Sequence, residues 1–153
     1  MDFERLDPFS REMANRLFAK YPDWRRFARA EKAENGTAYL SVTVPAPAEA
    51  HADHDLTITT SGAKVTIGFD YYHCHFHAAV GDGEHFGADY AFHFIDRLLN
   101  ERIAVISWWQ GNEWRAFSIR EGGVNVMPDD LVGPSDRQRI RSWRGSLNAD
   151  NAA

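Results

Sequence analysis

The chain has 153 residues, 44% of them hydrophobic and 25% charged, a composition that excludes a disordered chain and suits one core-bearing domain. Seventeen Lys and Arg against 22 Asp and Glu leave a formal net charge of -5. That balance argues against a general nucleic-acid binder, because affinity for phosphate needs a positive field. Cys74 is the one cysteine, so no intrachain disulfide forms and a cytoplasmic setting is expected. The opening MDFERLDPFS has no apolar run of signal-peptide type, and no stretch reaches the ~20 apolar residues of a membrane span.

Asp7-Pro8 is a helix start signal, since Asp caps and Pro suits the first turn. Phe9, Met13 and Leu17 recur every four residues and share one helix face. After Tyr21-Pro22, the residues Asp23, Trp24 and Phe27 suggest a second short helix ending near Asn35-Gly36. Arg25, Arg26 and Arg29 read as its solvated face. Leu40, Val42 and Val44 then alternate with polar residues as a half-buried strand. Pro45 and Pro47 stop it, and 46–55 reads as a loop. A hairpin around Ser61-Gly62, with residues 60 and 63 opposite, puts Leu56, Ile58, Val65 and Ile67 on one face.

A loop over 78–87 leads to a helix capped by Asp89, whose stripe of Ala91, Phe94, Ile95, Leu98 and Leu99 is core. Ile103 to Trp109 is a strand, Gly111-Asn112 a two-residue turn, and Glu113 to Ile119 the return strand. Residues 122–137 are irregular and Gln138 to Arg144 is a last strand. The expected fold is α+β: about six mostly antiparallel strands in one curved sheet, covered on one face by helices. One domain spans 1–145, with a flexible tail over 146–153.

Three constellations carry the chemistry. In FDYYHCHFH, the residues His73, His75 and His77 sit at alternate strand positions and point the same way. His73 and His77 start about 13 Å apart, too far for one ion to take all three easily; two neighbours with a third ligand from His85, His93 or Asp70 are the metal alternative, centred on His73, His75 and Asp70. Strict alternation from Phe69 would bury the imidazoles, so a bend or bulge near Asp70 to Tyr72 is expected to turn them outward and Tyr72, Cys74 and Phe76 inward.

In SWWQGNEWRAFSI, the turn sets Trp109 opposite Trp114 and Trp108 opposite Arg115. Ala104, Ile106, Trp108, Arg115, Phe117 and Ile119 then form the core face. Val105, Ser107, Trp109, Trp114, Ala116 and Ser118 form the other. The Trp pair is either cross-strand packing or an anchor for a partner, the kind of residue on which interfaces concentrate their energy. In RQRIRSWRG, the residues Arg139, Arg141 and Trp143 share a face, and these arginines are expected to pair with acids such as Asp70 or Glu113. No phosphate loop, nucleophile elbow or triad spacing occurs.

The order of FDYYHCHF, a helix, ISWWQGNEWRAFSI and RIRSWRGSLN resembles small bacterial immunity-type proteins of polymorphic or contact-dependent toxin systems. The resemblance covers roughly residues 55–147. It implies a non-catalytic, cytoplasmic protein without a cofactor that neutralises a cognate protein toxin by binding it. The acidic balance suits a basic nuclease as that toxin. From the sequence pattern, the partner-binding residues would be Trp109, Trp114, Asp82, Glu84, Asp89, His73 and His75, with Asp53 and Asp55 as further acidic candidates. No membrane and no direct nucleic-acid contact is expected, and a homodimer is allowed. Two alternatives stay open: a metal-dependent or His-based enzyme centred on His73, His75 and Asp70, and a small-ligand module with a pocket of Tyr71, Tyr72, Trp108 and Phe117.

Overall fold

The computed structural model describes residues 3–77, 86–128 and 135–152. It is an α+β fold with two five-stranded antiparallel sheets, one ordered β1 (Ala28–Lys32), β2 (Ala38–Val44), β3 (Leu56–Thr59), β4 (Lys64–Phe69), β5 (Tyr72–His77) and the other β10 (Ala149–Ala152), β9 (Arg137–Arg141), β6 (Ile103–Gln110), β7 (Glu113–Glu121), β8 (Val124–Asn125), in place of the single six-stranded sheet expected. The chain divides into two compact units. One comprises Met1–Pro45, Leu56–Gly68 and Cys74–Phe92; the other comprises Ala46–Asp55, Phe69–His73 and His93–Ala153.

Helix α1 (Pro8–Lys20) begins as its sequence dictates. The Asp7 side chain accepts from the Ser10 amide at 2.9 Å, and Pro8 opens the first turn, which satisfies one of the donors a helix start leaves unpaired. Its buried face is Ser10, Met13, Ala14 and Leu17. Ser10 reaches the buried Thr60 hydroxyl, which also accepts from the Leu40 amide. The second short helix is a 3-10 turn over Pro22–Phe27, and the chain then extends as β1 (Ala28–Lys32). Asn35-Gly36, expected as a helix end, is the turn of the β1–β2 hairpin, with Gly36 at φ 81°. Asn-Gly fits such a turn because both residues tolerate positive φ.

Strand β2 (Ala38–Val44) buries Leu40, Val42 and Val44 as its alternation requires. β3 (Leu56–Thr59) and β4 (Lys64–Phe69) pair with Ile58 opposite Ile67 and Thr59 opposite Thr66. That register sets residue 60 against 65, two residues from the expected one. A shift of two preserves facing, so Leu56, Ile58, Val65 and Ile67 are all fully buried. The turn at Asp70 and Tyr71 leads into β5 (Tyr72–His77).

Helix α2 (Phe86–Leu99) starts before Asp89, which lies in its first turn rather than at its cap. Of its expected stripe, Ala91, Phe94, Ile95 and Leu98 are buried, and Leu99 at the helix end is half-buried. The second sheet follows: β6 (Ile103–Gln110), β7 (Glu113–Glu121), β8 (Val124–Asn125), β9 (Arg137–Arg141) and β10 (Ala149–Ala152). Gly111-Asn112 closes the β6–β7 hairpin as foreseen, with Trp109 opposite Trp114. Trp108, however, pairs with Ala116, because a bulge between Trp108 and Trp109 leaves Arg115 as the extra residue. The bulge inverts the return strand. One buried face is therefore Ala104, Ile106, Trp108, Ala116 and Ile140; on the other, Ile103, Val105 and Ser107 of β6 are buried too, and Phe117 and Ile119 of β7 are half-buried. Packing decides this: Trp108 has Ala116 opposite it, and its indole N–H donates to the buried Ser118 hydroxyl at 3.0 Å.

Residues 149–152, placed in a flexible tail by sequence, are strand β10 against β9. Asp150 holds Arg141 there at 2.8 Å. Glu101, at positive φ, accepts from the Ser142 and Ser146 hydroxyls and from the Arg144 and Ser146 amides. Burial raises this carboxyl, but those hydrogen bonds outweigh it and hold it at about 2. A carboxylate that collects several donors favours its charged form.

Candidate functional site

The parity break expected near Asp70 is present. Asp70 has φ 50° and its side chain is almost wholly buried, a backbone region that Asp tolerates better than most residues. β5 then alternates, with Tyr72, Cys74 and Phe76 half-buried and His73, His75 and His77 exposed. The imidazoles escape the core, where they would each need a partner.

The turn is anchored by the segment 46–55. The Asp70 amide donates to the His54 carbonyl at 3.1 Å, and Asp70 Oδ1 accepts from the Asp53 amide at 2.8 Å. Arg139 donates to Asp53 and to the His51 carbonyl, and lies 3.7 Å from Asp70. The Tyr71 hydroxyl donates to Asp53 at 3.0 Å. The hydrogen bond from Arg139 lowers the Asp53 carboxyl, whereas burial raises that of Asp70. Burial and the bond to Asp53 raise the Tyr71 phenol. The expected pairing of Arg139 with Asp70 is present, and Asp53 adds to it. Glu113 pairs instead with Arg115.

Upon this network lies a continuous run of rings. Tyr71 stands edge-on to Trp109, with centroids 4.9 Å apart, and lies 5.6 Å from Trp114. Trp114 stacks on Phe117 at 6.0 Å, and Phe117 meets both His73 at 4.6 Å and Tyr72 at 5.4 Å. Tyr72 in turn stacks on Phe94. Arg137 covers Trp109 and Arg139 covers Tyr71. Both indoles are held: Trp109 donates to Ser107 at 2.8 Å and Trp114 to the Ala116 carbonyl at 3.0 Å. The hairpin tip is pinned as well, with the Gly111 amide donating to Asp136. Trp114 is nevertheless 42% exposed, the outlet of this run to solvent.

The structure thus joins His73, Trp109 and Trp114, three of the residues picked out by sequence, through Tyr71 and Phe117. Asp89 lies elsewhere on the chain, exposed and paired with Arg16. Asp82, Glu84 and His85 fall outside the described residues. Asp55 accepts from the Ala46 amide and so serves its own loop. The sequence places Arg139 with Arg141 and Trp143 on one face of a strand and Arg137 in the irregular stretch before it, and shows neither Arg137 nor Arg139 as a cover for the aromatic rings. The alternation of Arg139 and Arg141 with Ile140 is the signal for Arg139, whereas Arg137 and Tyr71, one residue past the parity break, give none.

The metal alternative does not assemble as proposed. Asp70 turns inward toward Arg139, and no group of three or more His, Cys, Asp or Glu able to hold an ion occurs among the described residues. The pocket alternative is corrected too: Trp108 is core, while Tyr71, Tyr72 and Phe117 pack ring on ring. A cleft of about 490 Å³ exists elsewhere, lined by Arg5, Leu6, Asp7, Lys32 and Thr37 among others. No family model, curated protein or solved structure matches the chain. No described helix is long and apolar enough to cross a membrane.

Proposed function

We propose that the protein is a non-catalytic binding module of immunity type, which neutralises a cognate protein toxin by docking it on the Trp109–Tyr71–Trp114–Phe117 run. The observation that carries this reading is Trp114, a large aromatic 42% exposed at the end of a hydrogen-bonded ring stack. A preorganised aromatic loses little side-chain entropy on binding, and such residues concentrate interface energy. A nucleic-acid role finds less support, because the basic stripe is already occupied: Arg139 by Asp53 and Arg141 by Asp150. A basic nuclease remains the toxin that the net charge of -5 suits best.

The test is to express the product of each gene adjacent to this one, to ask whether it is toxic to cells, and to measure protection by, and affinity for, this protein. Trp114→Ala should weaken binding by about thirtyfold, the equivalent of roughly 2 kcal/mol, with the melting temperature kept within a few degrees. Undiminished binding and protection by that variant would remove the proposed surface.

A further inference from the structure

We propose that the outer edge of β1 is a self-complementary docking site for a second copy of this chain, which adds its own β1 antiparallel about a two-fold axis at Ala30. This surface uses none of the residues of the ring run and does not depend on the docking reading. β1 is an end strand, paired only with β2. The Ala33 amide donates to the Thr37 carbonyl, which fixes the alternation of the ladder: Arg29 and Glu31 bond to β2, whereas Ala30 and Lys32 turn their N–H and C=O groups outward. Those outward groups have no hydrogen-bond partner among the described residues. The residues from Arg29 to Lys32 are exposed, and the five pairs with β2 run in register with no proline among them. An open row of donors and acceptors of this kind is what an added strand completes.

Charge selects the occupant and the register. Within one copy, Arg29 stands opposite Ser41 and Glu31 opposite Tyr39, and neither charge has an ion pair among the described residues. With the two-fold at Ala30, Arg29 of each copy falls opposite Glu31 of the other, at positions between the backbone bonds where facing side chains lie closest. The two Ala30 residues exchange N–H···O bonds across the axis. The Ala28 amide is already taken by the Arg25 carbonyl, so at each end the Lys32 amide donates to the Ala28 carbonyl. Lys32 itself meets the small Ala28 and no like charge directly opposite. Backbone pairing allows shifts of two residues only, and a shift either way sets Arg29 against Arg29 or Glu31 against Glu31. Like charges directly opposite are destabilising, so ARAEK specifies one register. A five-residue edge covers much less than the roughly 800 Å² per partner of a stable interface, so the dimer is weak and reversible.

The experiment is sedimentation equilibrium of the full-length protein at low salt, over concentrations up to about 1 mM, where an interface of this size becomes populated. Wild type should fit a monomer–dimer equilibrium. Arg29→Glu and Glu31→Arg should each weaken it at least about tenfold, because each sets like charges opposite twice. The two substitutions together restore the opposite pairs and should return the dissociation constant to within about threefold of wild type. Ala30→Pro removes only an outward N–H, which an edge strand tolerates, and should abolish the dimer with unchanged circular dichroism. The charge exchange carries the test even where the proline variant fails to fold. The proposal fails if wild type stays monomeric throughout, if either single charge reversal associates like wild type, or if the double reversal does not recover.

Discussion

The β4–β5 turn and the β6–β7 hairpin solve the same problem in opposite ways. Each breaks strand parity, so that side chains next in line for the core face the other way. At Asp70 the break is a left-handed residue held by charge: the buried carboxylate, the Asp53 carboxylate and the Arg139 guanidinium. At Arg115 it is one extra residue beside a pair of small ones, Ala116 and Ser118, that accommodate Trp108. The first is a polar lock with few substitutes. The second is a packing choice in which the extra residue itself contributes little.

Breaking the polar lock should have the largest effect. Arg139→Ala leaves Asp70 buried beside Asp53 without its guanidinium, and should lower unfolding free energy in urea by about 3 kcal/mol or more. A loss below about 1 kcal/mol would mean that the turn is held by its backbone alone.

Next comes the other charged anchor, Glu101. Its carboxyl is lowered from 4.5 to about 2, so its stabilisation is present above pH 4.5 and fades as pH falls toward 2. Glu101→Gln should lose about 1–3 kcal/mol at pH 7. The gap between variant and wild type should shrink steadily below pH 4.5 in melting curves. A gap that stays constant down to pH 2 would exclude the charge as its source.

The smallest effect belongs to the packing choice. Deleting Arg115 removes the bulge yet keeps Trp108 opposite Ala116 and Trp109 opposite Trp114. Stability should change by no more than about 1 kcal/mol, with the near-ultraviolet signal of the tryptophans preserved. Deleting Ala116 instead sets Arg115 opposite Trp108 in place of the buried Ala116, and should destabilise the hairpin by more than deleting Arg115 does.

The same contrast explains what the sequence made legible. The Asp7 cap, the alternation of Leu40, Val42 and Val44, and the Gly111-Asn112 turn are local signals, and each produced the element it promises. The outward turn of the histidines could be inferred from cost alone, because three buried imidazoles need partners that the sequence does not supply. The Arg115 bulge had no such signal. Phe117 and Ile119 are the more apolar set, so pattern favours them for the core. The shape and indole N–H of Trp108 favour Ala116 and Ser118, and that preference appears only once strands are paired. Strand β1, with the sequence ARAEK and a largely exposed surface, carries no apolar period to read. Strand β10 is equally silent, since ADNA is held in place by the pair between Asp150 and Arg141. The candidate surface was half legible: the Trp pair announced itself, whereas Tyr71 and the arginines join it through contacts distant in sequence.

The interleaving of the two units has a kinetic consequence. The chain crosses between them five times, and 46–55 and 69–73 belong with residues that begin at His93. During synthesis, those two segments emerge well before the second sheet that completes their unit. Tyr71 and its neighbours must therefore wait in the nascent chain for distant partners. Long-range pairing of this kind slows folding and lengthens exposure to misassembly. Refolding from denaturant should accordingly place the formation of the Tyr71–Trp109 contact late, after the unit that holds α1 has closed.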